Sequence, residues 1–229
     1  MTPTIAAALS VALTYLLGAI PFALLAGKLE GIDLREHGSG NVGATNALRV
    51  LGKGPGLVVL LCDIGKGVVP VLLLPWLLAR LELAPPGWLA PALAGAAILG
   101  HVFPVYLRFK GGKGVATSAG AFLALHPPAL GLAALAFFLT LGASKIVSLS
   151  SLIAAATLPV AAVLIDGWDL ASGAQAPRTG LLVAMAALVW IRHRANLGRL
   201  LRGEEPRLGQ KKAASGPPPE EEQEPAPSH

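Results

Sequence analysis

Residues 1–27 contain no Asp, Glu, Lys or Arg, and residues 114–165 contain only Lys145. No water-facing surface is built without charge over such lengths. A helix crossing a bilayer, by contrast, needs about 20 consecutive apolar residues and tolerates few charges. Hydrophobic residues make up 54% of the 229-residue chain and charged residues 14%. Those proportions exclude both an ordinary cytosolic globule and a long disordered protein. The charges that exist are crowded, with thirteen of them between Arg192 and Glu224. The pattern predicts an all-α polytopic membrane protein.

Apolar stretches at about 3–27, 56–79, 88–107, 114–125, 128–143, 146–165 and 178–191 predict seven transmembrane helices, one of them short. The first has no basic region ahead of it and is too long for a cleaved leader. The run from Gly114 to Ala143 is too long for one crossing and is broken at His126-Pro127-Pro128, because proline removes amide donors and disfavours helix in the residue before it. Basic residues then set the orientation. With the N-terminus outside and the C-terminus inside, fifteen of the eighteen Lys and Arg face the cytoplasm; Arg80 and Arg178 lie outside and Lys66 falls within a span. Asp63 and Lys66 share a helix face at three-residue spacing and can pair there; near mid-bilayer such a pair is costly enough to suggest a function, and near a helix end it reads as structural. Beyond residue 205 the composition turns to Pro and Glu without apolar periodicity, so 206–229 reads as a disordered cytoplasmic tail after a membrane domain at 1–205.

Several functions are excluded by composition. One cysteine, Cys62, rules out an internal disulfide and multi-cysteine metal sites, and none of the five histidines has a second at three- or four-residue spacing. No metal and no cofactor are expected. The net charge of +5 comes from basic residues flanking apolar spans, which points to topology, anionic lipid and anionic substrates and not to nucleic acid. No obligate protein partner is evident.

Polar chemistry concentrates in three segments, all on the predicted cytoplasmic face. In the first, GSGNVGATN (Gly38 to Asn46), Gly38, Gly40 and Gly43 match G-x-G-x-x-G, but no strand precedes them, so a dinucleotide fold is excluded. What remains is a glycine-rich turn into a helix start, with Ser39, Asn41, Thr45 and Asn46 as donors and Arg49 as a fixed charge. In the second, Gly111, Gly112 and Gly114 flank Lys113 just before a helix begins. Those are the parts of a phosphate cradle, although the spacing is not that of a Walker loop. His101 in this segment reads as a hydrogen-bonded core histidine. In the third, His193 and Asn196 fall on one face of the helix leaving the last span, beside a basic amphipathic stripe. Together these segments suggest binding of phosphorylated anions at the membrane surface.

The strings GSGNVGATN with Arg49, GHVFPVYLRFKGGKGVAT from Gly100, and HRANLGRLLRGEE from His193 resemble, in that order, the three motifs of the bacterial membrane acyl-phosphate:glycerol-3-phosphate acyltransferases. The resemblance covers residues 1–205. It implies seven spans, an external N-terminus, a location in the bacterial plasma (inner) membrane and a cytoplasmic-face active site. The implied reaction moves an acyl chain from acyl phosphate to the 1-hydroxyl of sn-glycerol 3-phosphate, giving lysophosphatidic acid and inorganic phosphate, the entry to phospholipid synthesis. The implied catalytic residues are Ser39, Arg49, Lys113, His193 and Asn196, with His193 and Asn196 at the substrate phosphate and the glycine loop as the glycerol-phosphate site. Gly40, Asn41, Gly43, Thr45, Asn46, Gly111, Gly112 and Gly114 are expected to contact substrate, and Glu205 to be structural beside the site. Ala195 stands where an acidic residue is common, and Glu204 precedes Glu205, so helix register alone can confuse the two. The H-x-x-x-x-D motif of acyl-CoA and acyl-carrier enzymes is absent: Val42, Tyr106, Gly131 and Gly198 stand five residues after the internal histidines. The other class consistent with this sequence is a transporter of phosphorylated small molecules, which predicts polar groups at the bilayer midplane rather than on one face.

Overall fold

A computed structural model describes residues 2–167 and 176–209. Among these, ten α-helices and one 3₁₀ turn account for the regular structure, with no strand. The expected acidic tail lies, from residue 210 onward, outside the described residues.

The first apolar stretch is two helices. Helix α1 (Pro3–Gly18) opens on Thr2, whose hydroxyl accepts from the Ile5 amide, and α2 (Phe22–Leu29) follows a break at Ala19–Pro21. Pro21 has no amide to continue the ladder. Helix α3 (Ala44–Val50) is short and leads into α4 (Lys53–Arg80), then α5 (Leu89–Val102) and a 3₁₀ turn at Val105–Leu107. Helix α6 (Val115–Leu125) and α7 (Pro127–Ser144) meet at His126. Pro127 and Pro128 sit in the first turn of α7, where amides lack helical partners anyway. Helices α8 (Val147–Asp166), α9 (Ala176–Arg192) and α10 (Arg194–Leu201) complete the chain.

Among the described residues, five spans are long and apolar enough to cross a membrane: Pro3–Leu29, Lys53–Arg80, Leu89–Leu107, Pro127–Ser144 and Val147–Asp166. Of the seven expected, α6 with 11 residues and α9 with 17 are shorter. The outward surface suits lipid, since Leu13, Leu61, Phe138 and Leu164 are all exposed.

Glycine sets the helix spacing inside. A Cβ added at Gly67 would collide with the Thr117 carbonyl, and one at Gly120 with the Ile64 carbonyl, so α4 and α6 touch backbone to backbone. Gly18 and Gly100 do the same for α1 and α5. Between helices in lipid, close packing of small residues replaces the hydrophobic drive. Gly120→Val is therefore expected to lower stability by about 3 kcal/mol, read as thermal unfolding in detergent micelles; an unchanged melt would show that α4 and α6 separate at no cost.

The Asp63–Lys66 pair forms inside the bundle, and Asp63 also borders the cavity described below. Both side chains are buried, their charged atoms lie 2.8 Å apart, and Lys66 Nζ also donates to the Ile20 carbonyl at 3.0 Å, inside the break between α1 and α2. At the opposite end of the bundle, His126 Nε2 lies 3.0 Å from Asp166, which Arg178 also contacts, tying the α6–α7 corner to α8 and α9.

Candidate active site

The turn before α3 is shaped by one buried amide. Asn46 accepts from the Ser39 amide at 2.9 Å and donates to the Leu34 and His37 carbonyls at 3.1 Å each. Gly38 and Gly40 take positive φ in this turn, and a Cβ on Gly38 would collide with the Asn46 amide oxygen. Asn46 thus fixes the loop that presents an exposed Ser39, while α3 carries Thr45 and Arg49 along the same side.

The second loop folds back on the end of α5. The Gly111 amide donates to the Val102 carbonyl and the Gly112 amide to the His101 carbonyl. Arg192, from the far end of the sequence, donates to the carbonyls of Gly111 at 2.8 Å and Gly112 at 3.3 Å. His101 Nδ1 lies 3.5 Å from Asp63, and the opposite edge of its ring packs on Gly112, where a Cβ would collide with Nε2. A chain of contacts therefore runs from Lys66 through Asp63 and His101 to the loop that carries Lys113.

The third segment breaks at His193, which ends α9 and precedes α10. Its Nδ1 lies 2.8 Å from the Val189 carbonyl. A carbonyl only accepts, so Nδ1 carries the proton and Nε2 is left as an acceptor. Asn196 accepts from Lys113 Nζ and donates to Glu205 Oε1 at 2.6 Å. Glu205 also accepts from Ser148 at 2.7 Å and from Arg199 at 2.7 Å. Glu204 turns outward to an exposed pair with Arg202, which resolves the register of the two glutamates.

These three segments enclose one end of a cavity of about 470 Å³. Ser39, Asn41, Gly43, Thr45, Asn46, Arg49, Lys113, Gly114, His193 and Glu205 line that end. Its other end is apolar, formed by α6, α7, α8 and α9 through residues such as Phe122, Leu130, Phe137, Leu158 and Met185. Gly40, Gly111, Gly112 and Asn196 do not line the cavity. The two loop glycines expected to admit a ligand instead admit the protein's own His101 and Pro104. Sequence reading took Arg192 for a topological charge and missed its hold on the glycine loop; its partners lie about 80 residues away, and no local pattern signals them.

Burial pushes the Lys113 ammonium down to about 8, only partly offset by Glu205, with Arg199, Arg192 and Arg49 lowering it further. Burial also pushes His193 down to about 4, helped by the charge of Lys113. His193 is therefore neutral at working pH. The sequence places His193 at the substrate phosphate without fixing its protonation; the neutral ring with Nδ1 on Val189 presents Nε2 as an acceptor. For Glu205, burial raises the carboxyl, but hydrogen bonds from Ser148, Asn196 and Arg199 outweigh it and hold the group below its ordinary value.

A family model described as glycerol-3-phosphate acyltransferase matches residues 8–203. A protein named glycerol-3-phosphate acyltransferase from Thermosynechococcus vestitus is 45% identical over 214 residues, covering 91% of this chain and 98% of its own. One of the same name from Thioalkalivibrio sulfidiphilus is 50% identical over 201 residues, covering 86% and 91%. Among solved structures, the glycerol 3-phosphate form of PlsY (YgiH), an integral membrane glycerol 3-phosphate acyltransferase, superposes with a TM-score of 0.77 at 36% identity, covering 89% of this chain and 96% of that one. Its lysophosphatidic acid form gives a TM-score of 0.75 at 35% identity, covering 89% and 95%. With three motifs converging on one amphiphilic cavity and these likenesses spanning nearly the whole bundle, the chain is a helical membrane protein of the glycerol-3-phosphate acyltransferase family.

Proposed function

We propose that this protein transfers an acyl chain from acyl phosphate to the 1-hydroxyl of sn-glycerol 3-phosphate, releasing lysophosphatidic acid and inorganic phosphate. The observation that carries this reading is the shape of the cavity, a polar mouth with Ser39, Arg49, Lys113 and His193 continuing into an apolar channel. Such a space fits a molecule with a phosphate head and an alkyl chain. The solved relative's two forms carry the acceptor and the lysophospholipid product of this chemistry.

In this mechanism Arg49 and Lys113 hold the phosphates of donor and acceptor. Ser39 orients a phosphate or meets the developing oxyanion, and His193 Nε2 accepts from an acceptor hydroxyl, fixing its lone pair toward the carbonyl. The 1-hydroxyl oxygen bonds to the acyl carbon, the carbon–oxygen bond to phosphate breaks, and phosphate leaves with the electron pair. The hydroxyl proton passes to a substrate phosphate oxygen. Asn196 and Glu205 act behind Lys113 by fixing its amine. The placement of α6 and α9 as two further crossings gives seven spans, an external N-terminus and a mouth facing the cytoplasm of the bacterial plasma (inner) membrane, a reading favoured by the distribution of Lys and Arg.

Purified protein supplied with palmitoyl phosphate and glycerol 3-phosphate is expected to release phosphate and lysophosphatidic acid, and to give no product with palmitoyl-CoA as donor. Product from the thioester alone would overturn the donor assignment. A folded protein that binds glycerol 3-phosphate and acylates nothing would favour transport.

A further inference from the structure

Gly114, which caps α6, and Ser118 and Phe122 within it follow one face at four-residue spacing, and all three line the cavity. Each step along that face advances about 6 Å. The face passes from the phosphate-binding mouth beside Lys113, through a single hydroxyl, to the apolar channel at Phe122. Ser118 is 8% exposed, yet its Oγ has no hydrogen-bond partner.

That vacancy is unlike the behaviour of other helical hydroxyls in this chain. Ser10, Thr14, Ser144 and Ser151 each donate to the carbonyl four residues earlier, at 2.7–2.9 Å. Such back-bonding is the ordinary fate of a serine in a helix. The Gly114 carbonyl stands in the same relation to Ser118 and is not used by its hydroxyl. Thr117 also lacks a partner, but it is fully buried and does not line the cavity. A buried hydroxyl left unpaired costs free energy unless a ligand completes it. At the start of α6, Gly114 offers no side-chain cap, so the first amides of the helix are open beside it.

An acyl phosphate has the same order of parts: phosphate, then the acyl carbonyl, then the alkyl chain. With the phosphate at Lys113 and the chain along Phe122, the carbonyl falls at Ser118. We infer that the Ser118 hydroxyl donates a hydrogen bond to the acyl carbonyl oxygen and stabilises the negative charge that builds there as the acceptor hydroxyl attacks. This assignment rests on the acyl-phosphate reading above and leaves Ser39 to the phosphate. The charge returns to the carbonyl carbon when the bond to phosphate breaks, so Ser118 keeps its proton throughout.

The test compares wild type with Ser118→Ala, Ser118→Cys and Ser118→Thr in steady-state assays with palmitoyl phosphate. Loss of one oxyanion donor lowers kcat by about a hundredfold. Ser118→Ala and Ser118→Cys should both show that loss, with KM for glycerol 3-phosphate changed by about twofold or less. Ser118→Thr, which keeps the hydroxyl, should stay within about tenfold of wild type. The direct readout is the infrared carbonyl band of a bound ¹³C-labelled acyl phosphonate, which cannot transfer its chain. The band should lie at lower frequency in wild type and move up in Ser118→Ala. The melting temperature of Ser118→Ala should not fall. An active wild type with an unchanged kcat and carbonyl band in Ser118→Ala overturns the role of Ser118 alone. A wild type inert with palmitoyl phosphate overturns it together with the donor assignment.

Discussion

Replacing Lys113 by methionine is expected to lower kcat/KM for glycerol 3-phosphate by about a thousandfold, the scale on which loss of a desolvated charge partner weakens recognition of an anion. Methionine keeps most of the apolar stem and removes the charge together with the donor to Asn196. The same lysine should leave a signature in the pH dependence. Burial, with Arg199, Arg192 and Arg49 nearby, holds the ammonium at about 8, against an ordinary value of 10.5. In free enzyme the anion-binding charge is lost as pH rises through about 8, so kcat/KM falls on that limb. A bound phosphate favours the ammonium, so the alkaline limb of kcat lies at higher pH. Stability moves the other way. Between about 8 and 10.5 the folded state holds fewer protons at Lys113 than the unfolded state does. The cost of the buried charge is thus present in full below that window and disappears as pH rises through it. Wild type should gain stability relative to Lys113→Met across this range in chemical denaturation. An undiminished kcat/KM in Lys113→Met would remove Lys113 from the site.

The sequence announces the helices through what it lacks. Charge-free runs mark the spans, and the His126-Pro127-Pro128 corner separates α6 from α7 where the structure also divides them. Hydropathy was blind to the break between α1 and α2, because Ala19, Ile20 and Pro21 are as apolar as their neighbours. Pro21 was its only local sign, and the explanation for Lys66 follows from that break. The three polar segments were legible as one cluster, since small donors, glycines and cations recur on one face of an apolar bundle, and residues of all three line one cavity. Their division of labour was not. Asn46 spends its side chain on three backbone groups, and Gly112 makes room for His101. Residue type cannot distinguish a group that meets a ligand from one that holds the loop meeting it. That difference depends on partners distant in sequence, as with Arg192 on the glycine carbonyls.

The protonation state of His193 shows why geometry was needed. From the sequence it stands with Arg49 and Lys113 at the phosphate, with no protonation state attached. In place, its Nδ1 is committed to Val189 and the adjacent ammonium disfavours a second charge. Two cations can hold both phosphates, while the neutral acceptor leaves the acceptor hydroxyl nucleophilic. A third cation would hydrogen-bond that oxygen as a donor and draw off its electron density.

Glu205→Ala should destabilise the protein by about 3 kcal/mol and lower kcat by about a hundredfold, although the carboxylate is assigned no contact with the reacting atoms. Its side chain is 7% exposed and accepts from Ser148, Asn196 and Arg199 at once. Removing it leaves three donors unpaired and frees the Asn196 amide to rotate away from Lys113. Glu205→Gln keeps the shape but places an amide donor among donors, so it should recover less than half of the lost stability. Glu204→Ala is the internal control: its pair with Arg202 is exposed on both sides and is worth at most about 0.5 kcal/mol. The pH signature has a definite sign. Hydrogen bonding holds the folded carboxyl below its ordinary value of 4.5 despite burial. Its stabilisation is therefore present above that ordinary value and is lost as pH falls through the lowered folded value. Thermal melts of wild type and Glu205→Gln should differ at neutral pH and converge in acid. Equal melts for Glu204→Ala and Glu205→Ala would mean that the Ser148, Asn196 and Arg199 contacts hold nothing in place. A Glu205→Ala protein that loses stability while keeping full kcat would show that Lys113 finds its position without them.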